Sequence, residues 1–210
     1  MQILGRDILI SLLIITIIIF INTKHKNQRG VFLYAIGIIL FSLTMVIIFS
    51  LTGISPMSGF HIDIRIGEIS FIPFKGMFEM LQGGINTYAI INILGNIIMF
   101  MPIGFLAPLL WIKLESLKKI VLLGFGTSLL IEITQLFLVR GTDIDDLILN
   151  TIGTILGYLV FIALKNLFTK FSKKIILQSK SMENKFMLWI CILVPYISII
   201  IGGFYDRYMF

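Results

Sequence analysis

Residues 120–157 read IVLLGFGTSLLIEITQLFLVRGTDIDDLILNTIGTILG, and this stretch decides the fold. Its opening run, Ile120–Val139, carries a single charge, Glu132. About 20 apolar residues suffice to carry a helix across the hydrocarbon core of a bilayer. A short polar turn follows at Arg140-Gly141-Thr142-Asp143, and a second apolar run then begins with Asp145 and Asp146. The two runs predict a helical hairpin that gathers Glu132, Gln135, Arg140, Asp143, Asp146 and Asn150 near one membrane face. Charge in or beside a lipid-embedded helix is costly, so it is normally paired, buried and functional.

The rest of the chain has the same character. Of its 210 residues, 58% are hydrophobic and only 13% charged, against roughly half and a quarter in soluble domains. The mean hydropathy is +1.02. The expected fold is an all-α polytopic membrane protein, a single domain over residues 1–210, with about six transmembrane helices. They are placed at 6–23, 30–51, 86–111, 120–139, 144–165 and 186–205. The first is the shortest, and Arg6 and Lys24 must snorkel to the two interfaces for it to span.

Charge sets the expected orientation. The net charge of +6 does not point to nucleic acid, because twelve of the seventeen basic residues fall in alternate connections. These are Lys24, Lys26 and Arg29, then Lys113, Lys118 and Lys119, then Lys165, Lys170, Lys173, Lys174, Lys180 and Lys185. By the positive-inside rule these connections are cytoplasmic and both termini lie outside the cell. One cysteine, Cys191, and two histidines are too few for a His/Cys zinc site. No metal is assigned, and the residues name no cofactor.

The longest outer connection, 52–85, is expected to be partly ordered. His61-Ile62-Asp63-Ile64-Arg65-Ile66 alternates polar and apolar, the period of a short strand. Residues 76–81, with Lys75 and Glu79 one turn apart, predict a short interfacial helix.

Helical geometry places the polar groups together. Gln135 shares a face with Glu132. Asp143, Asp146, Asn150, Gly153 and Gly157 form one stripe, with Asp145 pointing away. Asn92 and Asn96 lie on one face of the third span at a similar depth. All three spans thus deliver polar side chains to the outer half of the bilayer. Glu132, Asp143 and Asp146 are the candidate catalytic residues, with Glu132 as the buried acid or base. Arg140, Asn92, Asn96, Gln135 and Asn150 are the candidate substrate-binding residues. Asp143 and Asp146 are spaced to share a hard cation, a weak signal because such pairs are common on helices. Ser128 has no local histidine to activate it, and His61 is more simply a loop histidine.

At these positions the sequence resembles the VanZ-like family. The matching elements are Asn92-x3-Asn96, Phe100-Met101-Pro102-x-Gly104, Glu132-x2-Gln135 and Arg140-x2-Asp143-x2-Asp146-x3-Asn150-x2-Gly153-x3-Gly157. Ile72-Pro73-Phe74 in the outer loop is similar to the family's short Pro-Phe element. The elements cover about residues 70–160, and their order on the right helices is more specific than any one of them. The resemblance implies an association with resistance to teicoplanin and lipoglycopeptide antibiotics, which act at lipid-linked cell-wall precursors. The expected partners are therefore membrane lipids or such precursors. Three mechanisms fit: an enzyme acting on a headgroup, a non-enzymatic binder that limits antibiotic access, and a small transporter. Transport ranks last, since the inner half of spans three to five is nearly bare of polar groups.

Overall fold

The computed structural model describes residues 2–23, 28–55, 72–74, 87–138, 142–167 and 185–209. These residues form six α-helices: α1 Gln2–Thr23, α2 Gln28–Leu51, α3 Thr87–Leu110, α4 Leu117–Gln135, α5 Ile144–Leu167 and α6 Lys185–Met209. A single 3₁₀ turn at Ile112–Leu114 links α3 to α4. Four helices are long and apolar enough to cross a membrane, over Phe32–Leu51, Ile90–Leu110, Ile144–Lys165 and Phe186–Tyr208. The apolar part of α1 is shorter, Leu9–Ile19, and α4 carries Lys118, Lys119 and Glu132 within its length. The fold is thus all-helical with four such spans among the described residues. The strand at 61–66 and the interfacial helix at 76–81 lie outside those residues.

α3 and α5 make the most extensive contact of the bundle, α4 packs mainly on α5, and α2 joins α3 to α6. Small residues permit the α3–α5 approach. A Cβ on Gly153 would stand 2.2 Å from the Ile97 carbonyl oxygen, and one on Gly157 1.9 Å from that of Met101. In the reverse direction, a Cβ on Gly104 would meet the Thr154 carbonyl oxygen at 1.9 Å. Two helices rich in small residues at the contact gain packing that lipid cannot supply. α3 continues through both Pro102 and Pro108 to Leu110, so Pro108 does not terminate it.

α1 is fastened to α6 by charge. The Arg6 guanidinium donates to both carboxylate oxygens of Asp206, at 2.7 and 3.0 Å. It also lies 5.4 Å from the centre of the Tyr205 ring. The expected snorkelling of Arg6 is therefore replaced by an ion pair with a residue 200 positions away. Paired in this way, the guanidinium keeps its bonds at the end of an apolar helix. At the opposite end of the bundle Lys165 pairs with Glu115.

The ends of α2 and α4 are shaped by specific bonds. Gly53, at φ 69°, takes the left-handed conformation that ends α2. α4 stops at Gln135 rather than running on to Val139. Its last turn tightens into bonds from Phe137 N to Thr134 O and from Leu138 N to Gln135 O, at 3.1 and 3.0 Å, a common way for a helix to finish. Glu132 consequently lies in the final turn of α4 and not deep within a longer helix. Its burial comes from neighbouring protein.

Candidate functional site

Four helix ends meet around the predicted residues, and each is tied to the next by a polar bond. Asn96 Nδ2 of α3 donates to Asp146 Oδ1 of α5 at 2.6 Å. Asn150 Nδ2 of α5 donates to Ser128 Oγ of α4 at 2.9 Å. Gln135 Nε2 donates to the Thr52 carbonyl just beyond α2 at 2.8 Å. Glu132 Oε2 accepts from the Asp143 backbone N–H at 3.0 Å. The helical periods explain the convergence. Asp146, Gly153 and Gly157 share an α5 stripe that turns toward α3, and Asn150 at the edge of that stripe reaches α4.

These groups surround a cavity of about 280 Å³. Asn92, Asn96, Glu132, Gln135, Asp146 and Asn150 line it, together with Leu51, Thr52, Ile91, Gly95, Met99 and Ile131. A larger cavity of about 560 Å³ lies between α1 and α6. Its walls are almost wholly apolar, from Ile10, Ile14, Val194, Ile197 and Ile201, so the polar chemistry belongs to the smaller one.

One predicted residue, Asp143, stands apart from the cavity wall. Arg140 lies outside the described residues. Asp143 precedes α5, and its Oδ1 accepts the Asp145 backbone N–H at 3.0 Å, an N-terminal capping bond. Partial burial pushes the Asp143 carboxyl above the usual carboxylate range, and the nearby Asp145 charge adds to this. The bond from the Asp145 amide acts in the other direction. Among the described residues no three His, Cys, Asp or Glu side chains converge.

One residue with a structural role escaped the sequence reading. Asp145, set aside as pointing away, is only 2% exposed, and its Oδ1 accepts the backbone N–H of Phe74. Phe74 has φ 66°, a left-handed backbone that is strained for a bulky residue. Asp145 thus anchors the Ile72-Pro73-Phe74 element to the start of α5. The only signal in the sequence was a third acid beside two already explained. Ser128 is likewise a partner for Asn150, not a nucleophile poised by a base.

Chemically the cavity offers two carboxylates and four amides within an apolar surround. Asn150 is 1% exposed, and its Oδ1 has no hydrogen-bond partner among the described residues. A buried polar atom left without a partner costs about 1–3 kcal/mol. An incoming N–H or O–H would remove that cost. If the amide were turned over, Nδ2 would be the end left over and an incoming acceptor would serve.

Neither the curated proteins nor the solved structures gave a match to this chain. The VanZ/LLP1 family model matches residues 31–168, which run from α2 to the end of α5 and include every residue on the cavity wall. With that match covering most of the chain and its polar centre, the protein belongs to the VanZ/LLP1 family.

Proposed function

We propose that this VanZ/LLP1 chain is a bacterial cell-membrane protein acting in envelope physiology. Its polar cavity faces the outer leaflet and recognises or modifies the headgroup of a lipid- or wall-linked molecule. Lowered susceptibility to teicoplanin and lipoglycopeptides is the expected consequence. The observation that carries this reading is the cavity itself: six polar side chains from three helices, one of them holding a buried, unpartnered amide oxygen. The outward orientation rests on the asymmetry of lysine and arginine between connections.

Binding is favoured over catalysis by a second observation. Both carboxylates on the wall already accept bonds from within the protein, Glu132 from Asp143 and Asp146 from Asn96. Groups so engaged position neighbours readily, whereas a general acid or base must be within reach of a substrate proton.

A deletion strain complemented with wild type or Glu132→Gln tests the reading. Cell-surface binding of labelled teicoplanin and the composition of the outer leaflet are measured together. Loss of complementation by a variant that still inserts at normal abundance supports the proposal. Equal complementation by both versions removes Glu132 from the mechanism and leaves it a purely structural role.

A further inference from the structure

Among the described residues, one side of the cavity wall is apolar and exposed. α2 and α3 touch closely at the end away from the cavity, where a Cβ on Gly37 would stand 2.4 Å from Leu110 Cδ2. There Phe41 and Trp111 also pack edge to face, with centroids 5.1 Å apart. At the other end residues of both helices line the cavity. Its rim there is formed by Leu51, Ile91 and Gly95. Leu51 is 64% exposed and Ile91 62%. A Cβ placed on Gly95 would meet no described residue within 4 Å.

Gly95 lacks the reason that explains the other glycines of this seam. Gly104, Gly153 and Gly157 are required by close backbone approach, whereas Gly95 faces open space. A glycine inside a helix costs roughly 0.5–1 kcal/mol relative to alanine. The exposed apolar strip of α3 continues past it through Leu94 and Ile98. A polar floor of amides with an apolar, open flank on a membrane-spanning helix matches a ligand that is polar at one end and hydrocarbon at the other. A water-soluble ligand would have no use for such a flank.

We infer that the cavity opens sideways into the bilayer between α2 and α3, and takes a membrane amphiphile. The polar head of the ligand lies among Asn92, Asn96 and Asn150, and its hydrocarbon chain leaves past Leu51, Ile91 and Gly95. This rests on the cavity being a headgroup site, and it adds the ligand's class and its route.

The test uses the full chain, extracted with a polymer belt from the membranes in which it is expressed and then transferred to detergent. Native mass spectrometry reads the amphiphiles retained from the total membrane lipid. Wild type is compared with Gly95→Trp, whose Cβ meets no described residue within 4 Å and whose indole is large enough to fill the flank. Gly95→Ala serves as a folding control that leaves the flank passable. Gly126→Trp is a second control, since Gly126 of α4 also faces open space and does not line the cavity. The expected result is a bound amphiphile in wild type, Gly95→Ala and Gly126→Trp, and about a tenfold loss in Gly95→Trp, the equivalent of ~1.4 kcal/mol. Undiminished retention in Gly95→Trp overturns the lateral route, as does wild type that retains nothing. The variant Asn150→Leu separates this failure from failure of the headgroup reading. If Asn150→Leu abolishes drug-susceptibility complementation while Gly95→Trp changes nothing, the cavity stands and only the route falls. If neither variant changes retention or complementation, both ideas fall together.

Discussion

The carboxylate of Glu132, near the end of α4, accepts the backbone N–H of Asp143, immediately before α5, at 3.0 Å. Thr142 Oγ1 donates to the Glu132 carbonyl at 3.2 Å, so one residue holds both sides of the α4–α5 connection. A carboxylate facing the N-terminus of a helix is also favoured by the helix dipole. Removing the acceptor should therefore loosen the hairpin. Glu132→Leu is expected to cost about 1.5–3 kcal/mol, the usual range for a hydrogen bond to a charged group. Glu132→Gln keeps an acceptor and should cost less. Thermal unfolding in detergent checks the order; equal losses would show that the bond contributes nothing.

The α3–α5 seam predicts a sharp contrast among glycines. Gly153→Ala or Gly157→Ala forces a methyl to within about 2 Å of a backbone oxygen, by the geometry already given. Overpacking typically costs ~1–3 kcal/mol, and backbone yields less readily than a side chain. Gly126→Ala, with nothing near its Cβ, should instead stabilise α4 by about 0.5–1 kcal/mol. Melting temperatures of the three variants measured side by side will show whether the signs differ.

Asp145 predicts a local effect away from the cavity. Asp145→Ala removes the acceptor of the Phe74 amide, and the left-handed strain at Phe74 is then unopposed. Hydrogen exchange at the Phe74 amide should rise well above wild type, while exchange in α3 and α5 cores stays unchanged. Unaltered exchange at Phe74 would mean that other contacts hold the element in place.

Much of this arrangement was legible in the sequence because it follows from helical periodicity. Asn92 with Asn96, Glu132 with Gln135, and Asp146 with Asn150, Gly153 and Gly157 all share faces by spacing alone. Three contacts were not legible. Arg6–Asp206, Gln135–Thr52 and Asp145–Phe74 join residues 200, 83 and 71 positions apart. Each depends on how whole helices rotate against one another, which periodicity does not specify. The end of the fourth helix, expected at residue 139, was not legible for a different reason. Leu136–Val139 is apolar and reads as more helix, but the Glu132 carbonyl is shared with Thr142, and α4 ends at Gln135.

Stability should also carry a pH signature from Asp143. Its carboxyl is held above the usual range in the folded protein by burial first and by the Asp145 charge second. The folded state therefore binds the proton more tightly than the unfolded state does. The contribution of this group is fully present below the ordinary aspartate value, and is lost as pH rises through the raised one. Asp143→Asn retains capping ability and cannot titrate. Relative to that variant, wild type should lose stability as pH rises above about 4, the ordinary aspartate value. Melting curves at a series of pH values check this, and a relative gain over the same interval would reverse the assignment.

Orientation is the premise on which the envelope role depends, and thiol labelling in intact cells measures it. In a Cys191→Ser background no other cysteine remains. Thr87→Cys then marks the cavity end of α3, and Lys118→Cys the opposite end of the bundle at the start of α4. A membrane-impermeant maleimide should label Thr87→Cys in whole cells and reach Lys118→Cys only after lysis. Labelling of Lys118→Cys in whole cells, with Thr87→Cys protected, would turn the cavity toward the cytoplasm and contradict the account.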